Sequence, residues 1–216
     1  MDLYDDLYFA ERNFQDAKRL ESFDQEKNFI YQYIKHGTVC DVGCSTGEFL
    51  SYIDWQGERY GMEVNERAIS ASQDNGILFE KNILNQKDFF DIVIFRGTIQ
   101  HLPNPFLYIE SSYRALKKGG FIVFLATPNT GSIYYKLFNT LPMLDDKRNF
   151  YIPSEKTLSN SLVNFGFKVI EVSKPYLDSP YSNIIRDHVA FMEKFFFRTN
   201  KKFAFWGNSM NLIAQK

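Results

Sequence analysis

A chain of 216 residues, 44% hydrophobic and 17% aromatic, has the size and apolar content for one α/β domain with a sizeable core. Its formal net charge of −1 gives no electrostatic case for a nucleic-acid partner. Asp2, Asp5 and Asp6 stand where a signal peptide would be basic, and no apolar run approaches the roughly 18 residues of a membrane span. Cys40 and Cys44 lack companions for a metal site, so they read as reduced and structural. A cytoplasmic protein without stable membrane insertion is expected.

Residues 1–36 read as an N-terminal helical segment. Its first ten residues are a loose start or a flap, and Phe14, Ala17, Leu20, Phe29, Ile30, Tyr33 and Ile34 mark one or two amphipathic helices. His36-Gly37 reads as the helix stop, with His36 at its C-terminal end. Thr38 to Val42 is then a buried strand. Gly43, Ser45 and Gly47 clear side chains from a tight loop, and a helix over Glu48–Ile53 follows. N–H groups at that helix start favour an anionic group, and Asp41 ends the strand as an acceptor in the same crevice.

Two known motifs overlap the loop. A dinucleotide fingerprint wants glycine at the third and sixth positions from Gly43, where Ser45 and Glu48 stand. Gly43-Cys44-Ser45-Thr46-Gly47 formally matches a nucleophile elbow, but that elbow needs several strands before it, and only helix precedes this one.

Arg59 to Val64 is a second strand ending in Glu63. This acid lies 22 residues after Asp41, about where α/β nucleotide sites place a carboxylate against ribose hydroxyls. A helix over 66–75 and a third strand over Gly76–Glu80 lead to Asn82 and Ile83. Phe89 to Phe95 is the fourth strand, with Arg96, Gly97, Gln100 and His101 at its carboxyl end. Pro103 and Pro105 open a helix reaching Lys117. Gly119-Gly120 turns it into a fifth strand ending at Ala126. The 26-residue stretch 128–153 breaks the pattern and reads as a substrate lid. A helix over 154–164, a strand over 166–172, a helix over 183–198 and a last strand over 208–216 complete the chain. Phe195-Phe-Phe197 beside Lys194, Arg198, Lys201 and Lys202 reads as packing or an oligomer contact, as in a homodimer, in preference to a membrane-touching face.

Asp41-Val-Gly43-Cys-Ser45-Thr-Gly47 resembles the first motif of class I S-adenosylmethionine-dependent methyltransferases, with Ser45 in place of the middle glycine. Glu63 matches the second motif and Phe89-Phe-Asp91 the start of the fourth. The helix–Gly-Gly–strand and Gly166-Phe167 patterns follow in order. Asn82 stands where the family often has Asp. The nearest branch in pattern includes ubiquinone-type and sugar or polysaccharide O-methyltransferases.

The resemblance implies a doubly wound, Rossmann-like α/β fold. Its seven-stranded sheet would be mostly parallel, with helices on both faces and the last strand antiparallel. It implies S-adenosylmethionine as cofactor: Asp41, Gly43, Cys44, Ser45 and Gly47 at the methionine end, Glu63 at the ribose, Asn82 and Ile83 at the adenine. Val64, Arg96 and Gly97 complete the cofactor set. A small-molecule acceptor, its hydroxyl as the reacting group, would meet His101 as general base, with Gln100, Tyr134, Tyr135 and Arg148 around it. Imidazole is the side chain suited to taking a proton near neutral pH. A non-catalytic cofactor-binding protein and a nicotinamide-dependent oxidoreductase are the alternatives.

Overall fold

The computed structural model describes residues 17–142, 144 and 149–216. Its centre is a six-stranded sheet: β1 (Val39–Val42), β2 (Arg59–Met62), β3 (Phe90–Arg96), β4 (Leu116–Pro128), β5 (Lys168–Ser173) and β6 (Ser209–Gln215), in the order β2-β1-β3-β4-β6-β5. The first four strands run parallel, and β6 runs antiparallel to both its neighbours, β4 and β5. The helices are α1 (Ala17–Tyr31), α2 (Glu48–Tyr52), α3 (Glu66–Asp74), α4 (Pro105–Ala115), α5 (Ile133–Phe138), α6 (Glu155–Asn164) and α7 (Ile184–Phe197), with a 3-10 turn at Ile99–His101.

Strand side chains alternate between faces, and the core divides accordingly. Val93, Phe95, Ile122, Phe124 and Leu212 pack beneath Ile109 of α4 and Leu158 and Leu162 of α6. Ile92, Ile94, Val123, Leu125 and Ile213 face the other way, against Phe23 and Ile30 of α1 and Phe49 and Leu50 of α2. Because both faces are covered, the central strands read as continuous apolar runs. A third cluster joins Tyr134 and Leu141 to Ala190, Phe203 and Phe205, outside the sheet. Short polar side chains set the helix starts. Asn65, Asn104, Ser132, Ser154 and Asn183 each accept an N–H from the first turn, and Ser154 with Thr157 makes a reciprocal capping box.

Three expectations need correction. The third strand predicted over Gly76–Glu80 is a single rung, where Leu78 pairs with Tyr60 and the chain bends at once into polar Glu80-Lys81-Asn82; among the described residues the sheet has six strands, not seven. The helix expected to reach Lys117 stops at Ala115, because Leu116 already pairs with Phe90 of β3. His36 is not a helix end: α1 closes at Tyr31, and His36 forms a parallel bridge with Gln56.

Candidate functional site

After β1 the chain runs to β2 on one side, then crosses to β3 on the other. The carboxyl end of β1 is therefore the point where the strand order reverses, and a ligand crevice belongs there. Register places Val42 level with Met62 of β2 and Phe95 of β3, so the ends carrying Asp41, Glu63 and Arg96 are adjacent.

The loop of residues 43–47 is held by backbone bonds. Gly43 and Cys44 donate to the Met62 carbonyl at 2.7 and 3.2 Å, and Gly47 donates to Cys44 at 2.9 Å. Gly43, Ser45 and Gly47 all take left-handed φ, at 77°, 52° and 72°. At Gly43 a Cβ would lie 2.6 Å from Thr98, so the absent side chain lets the loop close against the segment after β3. Ser45 pays the left-handed cost that glycine would avoid.

Glu63 clamps this loop. Its Oε2 accepts the Ser45 N–H at 3.0 Å, and its Oε1 accepts those of Val64 at 2.7 Å and Asn65 at 3.1 Å. Asp41 is 2% exposed and its Oδ1 has no hydrogen-bond partner among the described residues. Burial raises its pKa to about 7, with Glu63 and Glu26 adding and the Arg96 guanidinium opposing. Arg96 makes an ion pair with Glu26 of α1 at 2.6 Å and lies 4.4 Å from the Phe23 ring centroid. Arg19 of α1 bridges to Glu48 at 3.0 Å across the same mouth. Between them lies a cavity of about 40 Å³, lined by Asp41, Ser45, Glu48, Phe49, Arg96 and Arg19.

At the end of β3, Gly97 has φ 60° and open space where a Cβ would stand. The Gln100 amide nitrogen donates to the Gly97 carbonyl at 2.9 Å and lies 3.2 Å from Nε2 of His101, while its Oε1 is buried without a partner among the described residues. The backbone of Phe150 and Tyr151 donates to the Gln100 carbonyl at 2.8 and 3.3 Å, which ties the far end of the 128–153 stretch to this turn. Asn129 anchors its near end: the carboxamide accepts from Gly131 and Glu155 and donates to the Gly207 carbonyl.

The structure brings Asp41, Gly43, Ser45, Gly47, Glu63, Arg96 and Gly97 together at adjacent strand ends, with Gln100 and His101 beside them. Other expected site residues sit differently. Cys44 is buried, packed beneath Gly61. Val64 projects into solvent at 83% exposure and offers only its N–H, already given to Glu63. Ile83 is buried in the sheet core, leaving no free side-chain face for an adenine. The Asn82 side-chain Oδ1 accepts the Leu84 N–H and closes a turn. Tyr134 is a correction: at 1% exposure it packs on Phe138 and Phe203 and cannot reach an acceptor. Tyr135 is half-buried against the same cluster. Arg148 lies outside the described residues. Sequence reading missed Arg19, Glu26 and Thr98. The only signal for Glu26 was that a half-buried Arg96 requires an acid, without saying which.

Among the described residues the Asp41 Oδ1 and the Ser45 hydroxyl are thus buried without hydrogen-bond partners at a loop of three left-handed residues, and the carboxylate suits a compact cationic group. No metal-holding cluster of His, Cys, Asp or Glu occurs among the described residues. Residues 10–172 match the family model described as a methyltransferase domain, and the chain belongs to that family. The fold is shared with a SAM-dependent methyltransferase from Archaeoglobus fulgidus, at 20% identity and TM-score 0.66 over 98% of this chain and 100% of that one. It is shared too with a SAM-dependent methyltransferase from Thermotoga maritima described as a possible histamine N-methyltransferase, at 18% identity and TM-score 0.63 over 92% and 90% of the two chains. No curated protein sequence matches this chain.

Proposed function

We propose that this methyltransferase uses S-adenosylmethionine and methylates a hydroxyl of a small-molecule acceptor. The observation that carries the cofactor assignment is Asp41, a buried carboxylate with a free oxygen at the mouth of the glycine loop. An ionised Asp41 there suits the ammonium of an amino acid. Glu63 keeps one lone pair free, on Oε2, so it can accept one ribose hydroxyl as it stands, and accepting both hydroxyls of a vicinal diol requires Val64 or Asn65 to release Oε1. The bound cofactor supplies an electrophilic methyl group on a sulfonium. The cavity of about 40 Å³ holds little more than a water or two. Admitting the amino-acid end therefore requires Arg19 or Arg96 to give way.

The acceptor side belongs to the turn after β3. Nε2 of His101 accepts from Gln100, so it is an unprotonated nitrogen in the tautomer this contact selects. Its lone pair is engaged by Gln100, so taking the hydroxyl proton as the carbon–oxygen bond forms requires that contact to break. Phe106 and Tyr151, whose ring centroids are 5.3 Å apart, flank the turn and favour a small, partly apolar acceptor. Orientation supplies much of the rate in a displacement of this kind.

Calorimetric titration with S-adenosylmethionine and its demethylated product should give heat with both, and nicotinamide dinucleotides should give none. Incubation with panels of small alcohols, phenols and amines, followed by detection of the demethylated cofactor, reads the acceptor class. Turnover only with amines would overturn the hydroxyl assignment, and no heat with either sulfur compound would overturn the whole reading.

A further inference from the structure

Helix α7 carries its apolar stripe on the wrong side for a helix of a globular domain. Its inward residues are Asp187 and Ala190, flanked by Phe191, which stacks on Phe205 at 5.0 Å. At 100° per residue, Ile185, Val189, Met192 and Phe196 line up on the opposite side. They are 79%, 54%, 50% and 63% exposed. Phe195 and Phe197 extend the surface at the C-terminal end, both exposed. Solvent-facing helix positions are ordinarily polar, and a contiguous apolar stripe marks an interaction surface.

The rim indicates what covers it. From residue 184 to 202 the chain carries five cations, Arg186, Lys194, Arg198, Lys201 and Lys202, against Asp187 and Glu193. The whole chain has a formal charge of −1, so this concentration of positive charge is local. Arg186 pairs with the fully buried Asp187 at 2.9 Å, Lys201 pairs with Glu193 and Lys194 lies over the Tyr134 and Phe138 rings, which leaves Arg198 and Lys202 as the cations without an ion pair or ring contact among the described residues. A cavity of about 430 Å³ opens beside the stripe, walled by Val189 and Phe203 and edged by Arg186, Glu193, Lys201 and Lys202. Two copies meeting through this surface would set like charges against each other. An anionic lipid surface satisfies both features, taking the apolar side chains below its headgroups and the cations at them.

We propose that α7 and residues 198–202 dock this chain on an anionic membrane surface. Ile185, Val189, Met192 and Phe196 enter the interface, and Lys202 meets a lipid phosphate at the cavity rim with the Glu193-paired Lys201 beside it. The contact is peripheral, because 14 residues are too few to span a bilayer. Docking also orients the molecule: α7 packs on Tyr134 and Phe138 of α5, the helix that follows the carboxyl end of β4. The proposal stands apart from the methyl-transfer reading, since it requires neither cofactor nor turnover.

Flotation of the purified chain with phosphatidylcholine vesicles containing about 30% phosphatidylglycerol tests it. Capture should exceed that by phosphatidylcholine alone at least about tenfold and fall steeply in about 0.5 M salt. Ile185→Ser with Phe196→Ser should abolish capture, and Lys201→Glu with Lys202→Glu should reduce it at least about tenfold. Thermal melts should stay unchanged in both variants, since all four side chains are exposed. Equal capture by neutral vesicles, no capture, or variants that bind like the parent would overturn the proposal. So would a dimer in sedimentation velocity that the serine variant splits, with vesicles capturing nothing, because a second copy would then be the occupant.

Discussion

Arg96 and Glu26, 70 residues apart, meet at 2.6 Å at the mouth of the crevice and join α1 to the end of β3. Their side chains are 18% and 7% exposed, so water does little to screen them. Glu26→Ala strands a guanidinium between Phe23 and Phe49 and should cost about 3 kcal/mol in urea unfolding. Replacing both partners, Glu26→Leu with Arg96→Met, should recover most of that loss, because it leaves no unpaired charge. A double variant no more stable than Glu26→Ala would show that the pair does more than neutralise itself.

Asp41 gives the fold a pH signature. Its pKa rises from 3.8 to about 7, chiefly through burial. Between those values the folded chain holds a proton that the unfolded chain has released, so stability falls as pH climbs from about 4 to about 7 and levels off above. Asp41→Asn should remove this component of the slope in urea unfolding measured across that range. On the proposed cofactor role it should also weaken S-adenosylmethionine binding at pH 8, where Asp41 is ionised.

Ser45 holds φ 52° with its hydroxyl buried and unpartnered among the described residues. Ser45→Gly should raise stability by about 1 kcal/mol by relieving the left-handed strain. Gly47→Ala should lower it by about 2 kcal/mol, since its Cβ would stand 2.6 Å from Ile77 in a left-handed backbone. Chemical denaturation of the two variants beside the parent reads both signs.

Glu63 has a structural duty and a proposed binding one, and two substitutions separate them. Glu63→Gln keeps an oxygen for the backbone donors but loses the charge and one acceptor. It should retain most of the melting temperature while weakening the demethylated cofactor at least about tenfold in calorimetry. Glu63→Ala should lose both.

Much of the fold is legible in the sequence. β1, β3 and β4 announce themselves as apolar runs because both faces of a parallel sheet are covered. The predicted third strand fails because an edge segment has only one neighbour, and one rung at Leu78 is all it forms. At the crevice, Asp41, the glycine loop and Glu63 are readable from spacing, since each sits directly at a strand end. Tyr134 was misplaced because an aromatic on a short helix looks the same whether it faces a ligand or the rings of Phe138 and Phe203.

The sequence alone located β1, β3 and β4 and the places where the chain turns on glycine, because these depend on residues adjacent along the backbone. The tertiary structure decided that Glu26 answers Arg96, that Asp41 holds its proton up to about pH 7, and that Ile185 and Phe196 point outward. Periodicity alone would turn the apolar stripe of α7 toward the core, but the inner face is selected in the fold. The sheet order and the aromatic cluster under Ala190 make that selection, through contacts that distant parts of the chain supply.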